Sequence, residues 1–206
     1  MYEYIDKNLG SVLQKTSALF NNNRLNLLNI DELNAGNSDK EINNLFRKLK
    51  KYATDFFNDE LDDVAKRLNK DREMFVLNKY LEGYNPVLMY VFLNEFFRKR
   101  ERYKEAVISI GDVNSVEMLG NMKANIRYWN KQVENTATYI EYEATKEAYI
   151  DDGVEYVIWH SELDDKVCGV CEELDGQIFG INDCPPLQHI GCRCWIEPYT
   201  EKGVAE

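Results

Sequence analysis

No segment of this chain approaches the eighteen or so consecutive apolar residues that a helix needs to cross a bilayer, so no helical membrane span is expected. The opening Met1-Tyr2-Glu3-Tyr4-Ile5-Asp6 is polar and lacks the apolar core of a secretory signal. Without a signal, and with an odd count of five cysteines, the thiols are expected to stay reduced and not to form a disulfide framework. Histidine is nearly absent. Two in 206 residues leave little for chemistry built on imidazole bases or on His-ligated hard metals. Surplus positive charge is missing too: the net charge is −11, and its distribution is uneven. From Ile140 to the end there are 16 acidic and 4 basic residues, against 20 and 21 in residues 1–139. Affinity for nucleic acid comes mainly from Lys and Arg neutralising phosphates. DNA binding by the isolated protein is therefore expected to be weak and lost at moderate salt.

What the chain does have is apolar mass, 44% hydrophobic and 12% aromatic, arranged at helical spacing. Residues 1–37 are rich in Asn and only patchily periodic. Val12, Leu13, Leu19 and Phe20 predict a short helix broken at Asn21-Asn22-Asn23, in a loosely ordered arm. A helical body is expected over 38–152. Ser38 and Glu41 have the spacing of a capping box. Behind them Ile42, Leu45, Phe46, Leu49, Tyr52, Ala53 and Phe56, continued by Phe57, Leu61, Val64 and Leu68, mark one long amphipathic helix. A shorter helix is expected over 72–82, closed by Gly83, and another begins at Asn85-Pro86. That one ends in the basic run Arg98–Lys104, read as a solvated face near a helix C-terminus. A helix over 115–128, weakened at Gly120, leads into a second over 129–151 with a Trp129, Val133, Ala137, Ile140, Ala144, Ala148 stripe and Gly153 as its stop.

After Gly153 the character changes. Residues 155–159, 177–179 and 194–196 read as three short strands, with Pro198 ending the last. Four of the five cysteines and one histidine lie here in two clusters, Cys168-Gly169-Val170-Cys171 and His189-Ile190-Gly191-Cys192-Arg193-Cys194. A Cys-x2-Cys turn supplies two corners of a zinc tetrahedron, and the second cluster offers three candidates for the other two. Three thiolates and an imidazole carry less negative charge than four thiolates, which in an acidic segment favours His189 plus one cysteine. Cys194 is preferred because it would tie the final strand to the knuckle, with Cys192 as its alternate and Arg193 facing away. Cys184 falls outside the motif. A segment of this size buries too little to hold itself together, and a structural zinc would supply the missing free energy.

The order of these residues resembles the phage Mu F-like family of minor head, or head morphogenesis, proteins. The resemblance rests on Trp159, Asp164-Asp165 before Cys168-x2-Cys171, Leu174-Asp175-Gly176, Phe179, Pro185-Pro186, and His189-x2-Cys192-Arg193-Cys194, and covers about residues 125–197. It implies a low-copy head component of a tailed phage or prophage with no enzymatic activity of its own. The implied partners are portal or capsid subunits, with room for an oligomer around the portal and weak contact with phage DNA. The implied locations are the virion head and, during assembly, the bacterial host cytoplasm. Two departures stand out. Relatives often carry Arg-Thr-Glu in the helix before the first strand, where this chain has Glu134-Asn135-Thr136. Some relatives continue into a toxin domain, and this chain ends twelve residues after Cys194.

Other functions fit less well. His160-Ser161-Glu162 ahead of Cys168-x2-Cys171 echoes the zinc deaminase signature. Only five residues separate Glu162 from Cys168, and Val167 stands where proline belongs. Surplus ligands would also fill the open position that catalytic zinc needs. A metal-dependent nuclease would need hard ligands where thiolates dominate, and a nucleic-acid-binding zinc module would not be acidic. The expected fold is α+β and predominantly helical, with a long-helix body and a small zinc-stabilised β module over 153–206.

Overall fold

The computed structural model describes residues 3–30, 35–82, 92–200 and 203–204. The fold is α+β and mostly helical, as expected. Six helices appear among the described residues: α1 (Glu3–Leu28), α2 (Ala35–Arg67), α3 (Leu77–Glu82), α4 (Phe92–Ile110), α5 (Val116–Asp151) and α6 (Gly169–Leu174).

The long amphipathic helix is α2, and its stripe from Ile42 to Val64 is buried except at Tyr52. It starts at Ala35, four residues before the first helical position that a Ser38 cap implies. Ser38 is thus a fully buried interior residue and not an N-cap. The break expected at Asn21-Asn22-Asn23 does not occur, and α1 runs straight through it. Tertiary bonds outweigh the poor propensity of asparagine here. The Asn23 carboxamide donates to the Glu41 carbonyl at 3.1 Å and that of Asn26 to the Glu41 carboxylate at 2.9 Å, while Phe20 and Leu27 are buried. The predicted 72–82 helix is split into a 3-10 turn, Arg72–Met74, and α3. Asp71 caps the turn by accepting from the Glu73 amide at 3.0 Å. Gly83, Asn85-Pro86 and the start predicted there lie outside the described residues. The two helices expected over 115–151 are one, α5. Gly120 lies inside it and weakens it without breaking it, and a side chain there would meet nothing within 4 Å. Ser115 caps α5, its Oγ accepting from the Met118 amide at 3.1 Å. Gly153, at φ 73°, closes it with amide bonds from Gly153 to Ile150 and from Val154 to Tyr149.

The chain packs as two compact units, one of residues 6–56 and 90–134, the other of 57–89 and 135–206 with the extreme N-terminus. The first is all-helical. Its centre is an aromatic cluster in which Phe46 meets Phe96 and Trp129 edge-on, both at 5.7 Å between ring centres. The second combines the C-terminal parts of α2 and α5 with a four-stranded antiparallel sheet of order β2-β1-β3-β4. The strands are β1 (Tyr156–His160), β2 (Ile178–Gly180), β3 (Trp195–Thr200) and β4 (Gly203–Val204).

Three of the strands fall close to prediction and β4 is additional. Pro198 does not end β3 but lies inside it, opposite Val157. Among the described residues β4 pairs with Tyr199 and Thr200 and not with Pro198. Tyr142 and Tyr149 of α5 share a core with Val157, Trp159, Ile181, Leu187 and Ile196, and four of the five cysteines are buried in it. The first downstream strand is thereby fixed against the helix that precedes it.

Candidate metal centre

Each cysteine cluster is shaped by a local turn. Cys168 is the N-cap of α6: its Sγ accepts from the Cys171 amide at 3.4 Å and its carbonyl from the Glu172 amide at 2.9 Å. That amide bond holds the Cys168 thiol below its ordinary pKa. In the second cluster the Cys192 amide donates to the His189 carbonyl at 3.1 Å, and Gly191 takes φ 77° to close the turn. Cys192, Arg193 and Cys194 precede β3 and do not belong to it.

These turns bring all five predicted ligands together. Cys168, Cys171 and His189 form one group whose ligand atoms lie within 4.8 Å of one another, and Cys171, Cys192 and Cys194 form a second. Cys171 is common to both. Its Sγ stands 3.4 Å from His189 Nε2 and 3.7 Å from Cys192 Sγ. A tetrahedral zinc with bonds of about 2.3 Å to sulfur and 2.0–2.1 Å to imidazole spaces its ligand atoms roughly 3.5–3.8 Å apart. The observed separations fit a metal of that kind. Cys168, Cys171, His189 and Cys194 also line one cavity of about 20 Å3, while Cys192 does not. His189 is oriented for ligation: a carbonyl can only accept, so Nδ1 carries the proton it shares with Ile190 O at 3.1 Å. Nε2 then presents its lone pair toward Cys171.

The thiols are not alike. Cys192 is held low by hydrogen bonds from Cys194, whereas its bond to Cys192 pushes Cys194 up. Burial pushes Cys171 up as well. Three close sulfurs cannot all carry full charge without a cation among them, so the arrangement suits a positive ion. Cys184 stands outside both groups, as the sequence reading expected. It is nonetheless a core residue, buried beside Tyr142 with Oη to Sγ at 3.4 Å.

Around the thiols is a supporting shell that spacing alone did not reveal. Arg193 grips Asp164 with both guanidinium nitrogens, at 2.8 and 2.5 Å, and holds that carboxyl down to about 2. Cys192 to Cys194 are not strand, so the alternation expected to turn Arg193 away does not apply; Arg193 lines the cavity beside Cys168, Cys171 and Cys194 while holding Asp164 in the loop leading into the knuckle. Ser161 is buried behind the site. Its hydroxyl donates to the Cys171 carbonyl at 2.6 Å and lies 3.3 Å from Cys194 Sγ, and its amide donates to Asp175 at 2.7 Å. The only prior signal of this shell was the position of Asp164 and Asp175 in the motif.

Of the deaminase-like pair, Glu162 lines the cavity with Cys168, Cys171, His189 and Cys194, whereas His160 does not. His160 belongs to neither metal-capable group; its ring stacks on Trp195 at 5.3 Å, with Nε2 3.4 Å from a Glu197 carboxylate oxygen. Glu162 is exposed. Among the described residues no helix is long and apolar enough to cross a membrane.

No curated protein and no solved structure matches the chain. A family model described as phage Mu protein F like protein matches residues 97–197. The match reaches further upstream than the 125–197 resemblance, taking in most of α4 and all of α5. This is physically reasonable, since α5 supplies Tyr142 and Tyr149 to the core under the cysteines. Over residues 97–197 this chain is similar to the phage Mu protein F-like family.

Proposed function

We propose that the protein is a structural minor head component of a tailed phage or prophage. In this reading it assists head assembly or DNA packaging and delivery by contact with portal or capsid subunits, located in the virion and, during assembly, in the host cytoplasm. The family match over residues 97–197 carries the reading. A mostly helical body with a thiol-rich knuckle is chemistry for holding a shape, which supports a part played by contact and not by turnover. Mass analysis of purified particles tests it. The chain should be found in heads at low copy number and co-purify with portal. Finding it only in tails, or in no particle, would overturn the reading.

Within this role we propose that residues 153–206 act as a zinc-stapled module on the helical body 38–152, with 1–37 as the entry to that body. Cys168, Cys171, His189 and Cys194 are the proposed ligands, supported by the one cavity they share. Cys192 is the alternate fourth ligand, favoured by its 3.7 Å separation from Cys171. Single substitutions separate the two. His189→Ala and Cys194→Ser should each lose zinc and lower the melting temperature, while Cys184→Ala keeps its zinc. If Cys192→Ser loses the metal and Cys194→Ser retains it, the alternate ligand is the true one.

The Asp164–Arg193 pair should act through the ligands it positions. Outer-shell partners of metal ligands are typically worth about 10- to 100-fold in affinity. Arg193→Ala and Asp164→Asn are each expected to weaken zinc binding by about that factor in competition with a chromogenic chelator. The double variant should be no worse than either single, because the two residues serve one contact.

A further inference from the structure

Five cations crowd the stretch from Arg98 to Lys104, and three are already paired. Arg98 forks onto Glu95 at 2.9 and 2.5 Å, Arg100 holds Glu101 at 2.7 Å, and Lys104 pairs with Asp39. Lys99 and Arg102 bond no carboxylate among the described residues. They are three apart on α4 and so share a face, and both line a cavity of about 240 Å3.

The remaining walls are donors or neutral. Tyr103, Asn121, Ala124 and Asn125 complete the lining, with no acidic residue among them. The Asn125 carboxamide donates to Asn121 Oδ1 at 2.9 Å and to the Asn121 carbonyl at 3.0 Å. That fixes the Asn121 side chain with its oxygen engaged and its NH2 group available. The nearest carboxylate influence on Lys99 is Glu95, already taken up by Arg98 and by the Tyr128 hydroxyl. Lys99 is held in place by the Tyr128 ring, its Nζ 3.8 Å from the ring centre. Partial burial and the neighbouring charges of Arg98 and Arg102 both disfavour its positive charge, which an incoming anion would relieve.

We propose that this cavity binds a phosphate oxyanion, with Lys99 and Arg102 supplying charge and the Asn121 carboxamide a neutral donor. A guanidinium fork with an ammonium point charge is a common donor set for a phosphate group. The phosphate is either a phosphodiester of a nucleic-acid backbone or free inorganic phosphate. The site lies on α4 and α5 and shares no residue with the cysteine groups, so its failure would leave the metal reading untouched.

Resonance shifts of the 15N-labelled full chain at low salt test it, with two probes: inorganic phosphate, and a 12-nucleotide single strand. Phosphate should shift Lys99, Arg102, Asn121 and Asn125 saturably. Arg102→Ala should weaken binding at least tenfold, and Arg102→Lys by less. Arg102 is exposed, so the variants should keep the parent's circular dichroism. If the oligonucleotide moves the same resonances and phosphate competes with it, the source is a nucleic-acid backbone. If only phosphate moves them, the site takes the free ion. The proposal is overturned if phosphate leaves all four unmoved, or if Arg102→Ala binds it as tightly as the parent.

Discussion

The Cys168→Ser protein is expected to lose its zinc and the order of residues 154–197 together, while keeping most of its helical signal. Cys168 both caps α6 and belongs to the group with Cys171 and His189, so one oxygen-for-sulfur change removes a ligand and weakens the turn that presents the next. Metal binding in small zinc peptides contributes on the order of 10–16 kcal/mol. Short strands of three to six residues cannot replace that. The stripes along α2 and α5 make no use of the metal. Elemental analysis of reduced, chelator-free parent protein should find about one zinc per chain, a structural site of the four-ligand kind. Hydrogen exchange should show protection lost across the sheet of the variant. Parent protein without zinc, or a variant whose sheet stays protected, would sink the idea.

Stability should fall as pH rises from about 5 to about 8, and Glu60→Gln should remove most of that fall. Glu60 of α2 and Glu141 of α5 are fully buried. No hydrogen-bond partner reaches either Glu60 oxygen among the described residues, whereas Glu141 has one bond, from Arg67 at 3.0 Å. Burial first, and then the charges of Glu141 and Asp63 against the opposing pull of Arg67, raise Glu60 to about 8. Burial raises Glu141 to about 7. In the unfolded chain both ionise near the ordinary value of 4.5. Between those limits the folded state binds more protons than the unfolded, so each step up in pH favours unfolding. The contribution is whole below about 4.5 and gone above about 8. At pH 8 the glutamine variant should be more stable than the parent by several kcal/mol, on the order of what such pKa differences represent. Near pH 5 the two should nearly coincide. Urea melts of the zinc-loaded proteins at both pH values measure this, and an equal difference at the two would refute it.

The cysteine site was legible because its information is local. A Cys-x2-Cys turn and a His-x2-Cys-x-Cys segment each state their own geometry, and only the closure between them is long-range. The α2 stripe was legible for the same reason. What stayed hidden depends on partners far along the chain. Helix α1 survives three consecutive asparagines because Glu41 receives two of its carboxamides. Arg193 finds Asp164 across 29 positions, which no periodicity encodes. Glu60 falls four after Phe56 and four before Val64, on the apolar stripe itself, yet a lone carboxylate does not announce burial, and the packed second unit shows it fully buried. Ser38 was misread because a capping box is a pattern of two residues, and the helix simply began earlier.

Arg193 also carries a consequence for turnover of the chain. Its backbone is a cleavage point for trypsin-like proteases, which must seat the guanidinium in their own acidic pocket. Here that group is already seated on Asp164, and the flanking Cys192 and Cys194 are buried. While the site is closed, the protease and Asp164 compete for one side chain and Asp164 has it. On the zinc-stapled reading, a chain without the ion would hold this turn less firmly and give up Arg193 more readily. Cleavage after Arg193 would part the two clustered thiols, Cys192 and Cys194.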